Sequence, residues 1–229
     1  MRQLNLVAES SSTSKLSGLS LGYVVFSDIK NVKSNAALDA ALADAVKELC
    51  ARFKTTSEIS SDPVVKGIRA IFSQAGTDPT KERPSGEALM RRIVDGKGIY
   101  RINAAVDVNN IISLQTGCPC GVYDADKLSG DTITLFVGRQ DDSYEGISGK
   151  PVNGDGRLLT KDATSIFGGP VADSKRTSIT LETKNVLMLV YFPSAAPHEK
   201  LNDAINTAIN LMQRCCGAAA VAHGVFSID

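Results

Sequence analysis

Two cysteines, a tyrosine and two aspartates lie within the fifteen residues TGCPCGVYDADKLSG, from Thr116 to Gly130. Cysteine side chains bind zinc and, when closely spaced, carry out redox chemistry. A structural zinc site normally has four ligands, however, and the other three cysteines and the two histidines show no Cys-x-x-Cys or His-x-x-x-His spacing. Pro119 between Cys118 and Cys120 would strain a local disulfide. We therefore expect a turn that follows a helix ending at Gly117, with no metal and no cofactor.

Histidine catalysis and nucleoside triphosphate binding are not indicated either. His198 falls at a predicted helix start and His223 beside a glycine in a predicted terminal strand, so both are interpreted as structural. The glycines at 96–98 and 166–169 lack the residues that surround a phosphate-binding loop.

The residues around this stretch predict an α+β fold in which helices pack on a mainly antiparallel sheet or sandwich core. Apolar residues at helical spacing predict helices over 34–53, from Asp62-Pro63, from Pro84-Ser85 with Leu89 and Ile93 as its core face, and over about 197–215. β-branched and aromatic runs predict strands over 19–29, 131–138, 144–148, 176–182 and 186–192, and a closing edge strand over 218–228.

Composition is that of an ordinary globular protein. The 229 residues are 43% hydrophobic and 22% charged, and 25 Lys and Arg balance 25 Asp and Glu. Nucleic acid would thus be attracted only by a local basic patch. The N-terminus lacks a signal-peptide core, and the longest apolar run, 186–192, is too short to span a membrane. We expect one cytoplasmic domain over residues 1–229, with no membrane partner.

A longer string, from Arg101 to Gly130, resembles the central signature of the tRNA-editing B3/B4 module in the β subunit of phenylalanyl-tRNA synthetase. That signature has a V-D-x-x-N helix, a G-x-P turn and a Y-D-x-D-K-L segment. Here these are Val106–Asn110, Gly117–Pro119 and Tyr123–Leu128, in the same order. On either side, 83–98 resembles the preceding helix of free-standing family members and 180–193 their closing strand.

The resemblance implies a pocket where the helix from Val106, the turn after Gly117 and the later strands meet. In synthetases this module hydrolyses tyrosine wrongly attached to phenylalanine tRNA. The resemblance places Asn109, Asn110 and Gly121 at the catalytic positions. It places Asp107, Tyr123 and Asp126 at substrate-binding positions. The alternative is structural, with the aspartates bonding turns and helix ends and the asparagines bonding nearby backbone.

The sequence departs from the bacterial pattern at three catalytic positions. Gly121 stands where a histidine is usual, Asn109 replaces a threonine, and the acidic residue expected just past the glycine pair is not evident at Val171 and Ala172. Any hydrolysis is thus expected to proceed without a histidine base, with water held by neutral donors.

A basic patch is the candidate RNA contact. We expect Arg91 and Arg92 to be exposed on the helix face away from the core. The alternative is that this face is charged only because it is in contact with solvent and that it binds no RNA. The members of the patch are Lys81, Arg83, Arg91, Arg92, Lys97 and Arg101.

These features predict an RNA-binding protein of translation, a tRNA-binding module that could deacylate mischarged aminoacyl-tRNA in trans. Aminoacylation is not expected, because 229 residues leave no room for a synthetase catalytic domain. Two alternatives remain: a non-catalytic module that binds an amino acid, an aminoacyl-adenosine or a tRNA end, and a protein-interaction domain.

Overall fold

A computed structural model describes residues 4–228 of the chain, which form ten β-strands and seven α-helices. The strands are β1 Asn5–Ala8, β2 Leu19–Ser27, β3 Cys120–Asp124, β4 Thr132–Val137, β5 Ser143–Glu145, β6 Pro151–Asn153, β7 Leu158–Lys161, β8 Ile166–Gly168, β9 Val186–Pro193 and β10 Ala219–Ile228. The helices are α1 Thr13–Leu16, α2 Ala36–Arg52, α3 Thr56–Ser61, α4 Pro63–Ala75, α5 Ser85–Val94, α6 Ala104–Thr116 and α7 His198–Cys216.

Two four-stranded sheets lie at the centre of this α+β fold. The main sheet has the order β10-β2-β9-β3 and is antiparallel throughout. The second sheet has the order β1-β4-β7-β8, and its β1–β4 pair is parallel. A separate hairpin joins β5 to β6. The predicted layered α+β architecture is confirmed.

The main sheet is covered on both faces because its central strands are apolar on both faces. In β9, Met188 and Val190 pack with the helices α2, α5, α6 and α7, whereas Leu189 and Tyr191 pack with the second sheet and α4. Successive side chains of a strand point to opposite faces, so a continuous apolar run is what a doubly covered strand requires. The helices α2, α5, α6 and α7, the main sheet, and the second sheet with α4 therefore form three layers.

Local sequence signals set the ends of the principal helices. Asn35 caps α2 by accepting a hydrogen bond from the Leu38 amide at 3.0 Å. Asp62 caps α4 by accepting from the Val64 amide at 2.9 Å, and Pro63 occupies the first helical position. Gly117 ends α6 in the left-handed conformation, with φ of 77°. These caps confirm the predicted helix boundaries at 35, 62 and 117.

Three sequence-based expectations about the elements are corrected. Residues 176–182 form turns rather than a strand, because local hydroxyls bond the backbone, as when the Thr183 hydroxyl accepts from the Thr180 amide at 3.0 Å. The core face of α5 uses Met90 with Ile93, whereas Leu89 is only half-buried. Several short elements were not predicted at all: β1, β6, β7, β8, α1 and α3. Within residues 4–228, every helix is too short or too polar to cross a membrane.

Candidate functional site

A cavity of about 630 Å³ opens between α5, α6, the start of β3 and the turn that follows β8. Its volume falls within the roughly 300–1,000 Å³ that is typical of small-molecule sites. Polar groups on the walls include Asn109, Asn110, Ser113 and Asp173, and two arginines, Arg83 and Arg92, also line it. The cavity thus lies where the resemblance placed a pocket.

Helix α6 carries the two asparagines of the cavity wall. Asn109 is buried, and its Nδ2 donates to the carbonyl oxygen of Cys120 on β3 at 3.3 Å. That carbonyl requires a donor, so the amide is oriented with its Oδ1 away from Cys120. Oδ1 is buried and has no hydrogen-bond partner among residues 4–228. Asn110, the next residue, is half-buried and lines the same cavity. Both predicted catalytic asparagines therefore border one space.

Gly121, the third predicted catalytic position, lies on the opposite side of β3 from the cavity-lining Cys120 and Val122. A Cβ added at Gly121 would lie only 2.2 Å from the Tyr123 hydroxyl. Tyr123 thus fills the space in which any side chain at position 121 would begin. A histidine at position 121, which is usual in the family, would therefore collide with Tyr123 in its observed position.

The three predicted substrate-binding residues do not share one place. Asp107 is fully buried and pairs with Arg101 at 2.6 Å. Asp126 accepts two hydrogen bonds from Asn185, at 2.8 and 3.0 Å, on the outer surface. Tyr123 is fully buried behind the cavity wall. Asp107 and Asp126 are therefore engaged by side chains of the protein itself, although Asp107 is not the N-cap of α6.

Asp173 is a site residue that the sequence reasoning missed. Residues 169–172 form a tight turn, in which the Gly169 amide donates to the Ala172 carbonyl at 3.1 Å, and this turn returns Asp173 to a bridge with Gly168. Asp173 lines the cavity, and burial raises the pKa of its carboxyl from 3.8 to about 7. The neighbouring Tyr123 hydroxyl, which favours the carboxylate, offsets part of this rise. An acidic residue does follow the glycine pair, directly after Val171 and Ala172.

Part of the predicted basic patch is structural. Glu87 on α5 is 1% exposed and accepts hydrogen bonds from Arg69 at 2.7 and 2.9 Å and from Arg91 at 2.7 Å. Arg91 also donates to Ser60 on α3. A buried carboxylate needs such partners, so these arginines hold α3, α4 and α5 together. The expectation that Arg91 is exposed is wrong, because its side chain is 21% exposed and engaged.

The remaining cations divide between the cavity and the surface. The Arg92 guanidinium lies 3.8 Å from the centre of the Tyr100 ring, and both residues line the cavity with Arg83. Arg92 is half-buried rather than exposed as expected. Arg101 is held by Asp107 and by Asp39 at 2.7 Å. Lys97 lies 3.4 Å from Asp95, and Lys81 is exposed on the surface.

The rim of the cavity is apolar and exposed. Tyr100, Ile102 and Ile147 are 63%, 56% and 61% exposed and lie around the opening. Exposed apolar side chains around the opening of a cavity are typical of a ligand entrance. Aromatic faces of this kind also stack on nucleic-acid bases.

A second cavity, of about 500 Å³, lies between α2, α6 and α7. Its charged lining residues include Arg52, whose guanidinium already bonds Asp62 at 2.6 Å. It contains none of the predicted catalytic or substrate-binding residues. Within residues 4–228, moreover, no three His, Cys, Asp or Glu side chains are grouped as metal ligands would be.

Comparison with known proteins identifies the family. The family model of the B3/4 domain matches residues 67–217. The phenylalanine–tRNA ligase β subunit of Bordetella pertussis is 25% identical over 148 residues, which cover 63% of this chain and 16% of that protein. The corresponding subunit of Cupriavidus pinatubonensis is 28% identical over 154 residues, covering 65% of this chain and 16% of the subunit.

The chain thus spans about a sixth of the length of the curated relatives it matches. Among solved structures, an N-terminal fragment of the phenylalanyl-tRNA synthetase β subunit from Pyrococcus horikoshii aligns with a TM-score of 0.46 and 12% identity, over 95% of this chain and 51% of the fragment. The family match covers the helices and strands that build the 630 Å³ cavity. This chain belongs to the B3/4 domain family.

Proposed function

We propose that the cavity binds the aminoacylated 3′ end of a tRNA and hydrolyses the ester bond of a mischarged amino acid in trans. The observation that carries this proposal is the pair Asn109 and Asn110 in a cavity of ligand size, at the positions that the family signature indicates. The relatives named above are phenylalanine–tRNA ligase β subunits, which supports a tRNA-related substrate.

The cavity walls offer different groups to the two ends of such a ligand. Asn109 presents a buried oxygen with no partner among residues 4–228, which can accept a hydrogen bond from the substrate ammonium group or from a water. At the mouth, Arg83 and Arg92 would face the phosphate of the terminal nucleotide, and the Tyr100 ring offers a stacking surface for its base. The amino acid would thus enter first and the nucleotide would remain near the rim.

Ester hydrolysis requires a positioned water and donors to the developing oxyanion. Asn110 and the polar backbone of the adjacent turn supply neutral groups close to where the carbonyl would lie. The residues lining the cavity, all within 4–228, include no histidine. In the proposed reaction, amide groups rather than an imidazole therefore position the water and the developing oxyanion.

A deacylation panel tests this function. Purified protein is offered a set of mischarged tRNAs, with tyrosine on phenylalanine tRNA first, and the release of amino acid is measured above the spontaneous rate. Asn109→Ala should lower the specific rate by about 10²-fold, the loss typical of one positioning or oxyanion group. Asn210→Ala, an exposed asparagine on α7, is the matched control and should retain the full rate.

The outcomes separate the proposal from its alternatives. Binding of tRNA ends without turnover of any substrate would favour a non-catalytic binding module. Full activity in Asn109→Ala would mean that hydrolysis takes place without the residue on which the proposal depends.

A further inference from the structure

Three polar groups lie together at and directly behind the cavity wall, where apolar packing would be expected. They are the hydroxyls of Tyr123 on β3 and Tyr191 on β9 and the carboxyl of Asp173, here called the Asp173 cluster. Each of these tyrosines is at most 1% exposed. Both hydroxyls and Asp173 Oδ1 are buried without a hydrogen-bond partner of normal geometry among residues 4–228. Such groups each cost about 1–3 kcal/mol when left unsatisfied, so packing alone does not account for them.

Two glycines create the space for the Asp173 cluster. A Cβ at Gly168 would lie 2.7 Å from Asp173 Oδ1 and 3.0 Å from the Tyr123 hydroxyl, so both oxygens approach the same point. A Cβ at Gly121 would lie 2.2 Å from the same hydroxyl. Any larger residue at either position would push the carboxyl or the phenol away. The Asp173 cluster therefore requires glycine at positions 121 and 168.

Asp173 connects the Asp173 cluster to the cavity. It carries the one carboxyl among the cavity-lining residues of the described chain. The Cys120 thiol also lines the cavity, but burial raises its pKa to about 12, which keeps it protonated at neutral pH. Asp173 is therefore the group best suited to exchange a proton with a bound ligand or water.

Burial has the largest effect on the protonation of Asp173, and the Tyr123 hydroxyl opposes it. Burial also raises the pKa of both tyrosines well above the ordinary value, so their hydroxyls stay protonated, and that of Tyr123 can donate to the carboxylate. The Tyr144 hydroxyl, on β5, donates instead to the Ala172 carbonyl at 2.7 Å. The titratable neighbours are Tyr123 on β3, Tyr191 on β9 and Tyr144 on β5, and the charged residues Arg83 and Arg92 line the same cavity.

We propose that Asp173 is the catalytic acid–base of the deacylation, taking the place in this chain of a histidine at position 121. This inference rests on the proposed function, since it assigns a role within that reaction. As a carboxylate, Asp173 accepts a proton from a water, and the water oxygen forms a bond to the ester carbonyl carbon while the carbonyl electron pair moves to its oxygen. When the tetrahedral intermediate collapses, the bond to the ribose oxygen breaks and that oxygen takes the proton from Asp173. The products are a free amino acid and a free ribose hydroxyl, and no oxidant or reductant is needed.

Single-turnover deacylation as a function of pH tests the assignment. The tRNA substrate is the member of the panel that wild type hydrolyses fastest, and the spontaneous rate is subtracted at each pH. Wild type should show a rate that rises through neutral pH, and Asp173→Asn should lose this rise together with about 10²–10⁴-fold of the rate. Asp173→Glu should restore part of both. Asp44→Asn, which removes an exposed carboxyl on α2 away from the cavity, is the matched control and should leave the profile unchanged.

Two further measurements separate catalysis from a merely structural role. Carboxyl ¹³C NMR of the folded protein should show Asp173 titrating near neutral pH. Tyr123→Phe removes a hydroxyl that favours the carboxylate, so the midpoints of the NMR titration and of the rate profile should both move to higher pH by the same amount. A structural role would leave the rate midpoint in place.

The failures are distinguishable. An active wild type with an unchanged rate and profile in Asp173→Asn would overturn the inference and leave the proposed function standing, as would an Asp173 that titrates near its ordinary pKa. A wild type that hydrolyses no mischarged tRNA would overturn the proposed hydrolysis and, with it, the role of Asp173.

Discussion

Replacing Asp173 with asparagine should stabilise the protein, and increasingly so as pH rises. The carboxyl has a pKa of 3.8 when solvated and about 7 in the fold, because burial disfavours the charge. The folded state therefore holds a proton that the unfolded chain has already released, and its stability falls as pH rises from about 4 to about 7. Asparagine has nearly the same shape and no charge, so it avoids this loss.

The magnitude follows from linkage. Each pKa unit corresponds to about 1.4 kcal/mol, so Asp173 costs about 4 kcal/mol once pH exceeds its folded pKa. Part of that cost is already present at about pH 5, which leaves a difference of about 3 kcal/mol between about pH 5 and about pH 8.5. Such a loss of stability is expected for a carboxyl that serves a function and not for a residue that serves only packing.

Urea denaturation of wild type and Asp173→Asn at the two pH values measures this difference. Comparing the two proteins cancels every other titrating group. We expect the advantage of Asp173→Asn in the free energy of unfolding to grow by about 2–3 kcal/mol from the lower to the higher pH. An advantage that does not change with pH would show that Asp173 is an ordinary solvated carboxyl and would remove the basis for its assignment.

Four further predictions concern the mouth, the core and the cysteines. Arg92→Ala should lower tRNA affinity and reduce the log–log salt slope by about 0.7–0.9, whereas the exposed control Arg214→Ala should not change the slope in a filter-binding titration. Arg91→Ala should instead cost about 3 kcal/mol in urea denaturation, because it leaves the buried Glu87 short of a partner; an unchanged midpoint would contradict this. Gly121→Ala should lower the melting temperature through its collision with Tyr123, by an amount equivalent to about 1–3 kcal/mol, and a melting temperature equal to that of wild type would refute the collision. Elemental analysis should find no stoichiometric zinc, and one zinc per chain would disprove the interpretation of the cysteine stretch.

The sequence predicts elements well where local signals determine them. The apolar spacing and the caps Asn35 and Asp62 define α2 and α4, and the apolar run at 186–192 defines β9. Residues 176–182 have the composition of a strand, but they form turns, in which the Thr180 amide donates to the Thr183 hydroxyl and the Ser178 amide donates to the Lys175 carbonyl. Short strands such as β1 and β7 depend on partners far along the chain, which composition does not specify.

The same distinction holds at the site. Asn109 and Asn110 were predicted because a motif within a single helix carries them. Asp173 was missed because a four-residue turn, rather than a fixed spacing from Gly169, brings it to the cavity. Arg91 was placed on the wrong surface because the pattern of α5 gave no sign that a glutamate would be buried there. A buried ion pair of this kind depends on Arg69 from another helix, so it becomes visible only in the fold.

The central claim is that the 630 Å³ cavity binds an aminoacylated nucleoside, and a crystal structure with a non-hydrolysable tyrosyl-adenosine analogue tests it most directly. We predict the aminoacyl group beside Asn109 and Asp173 and the adenine at the rim against Tyr100. An analogue bound in the cavity between α2, α6 and α7, or no bound analogue at a concentration that saturates the protein in solution, would contradict the account.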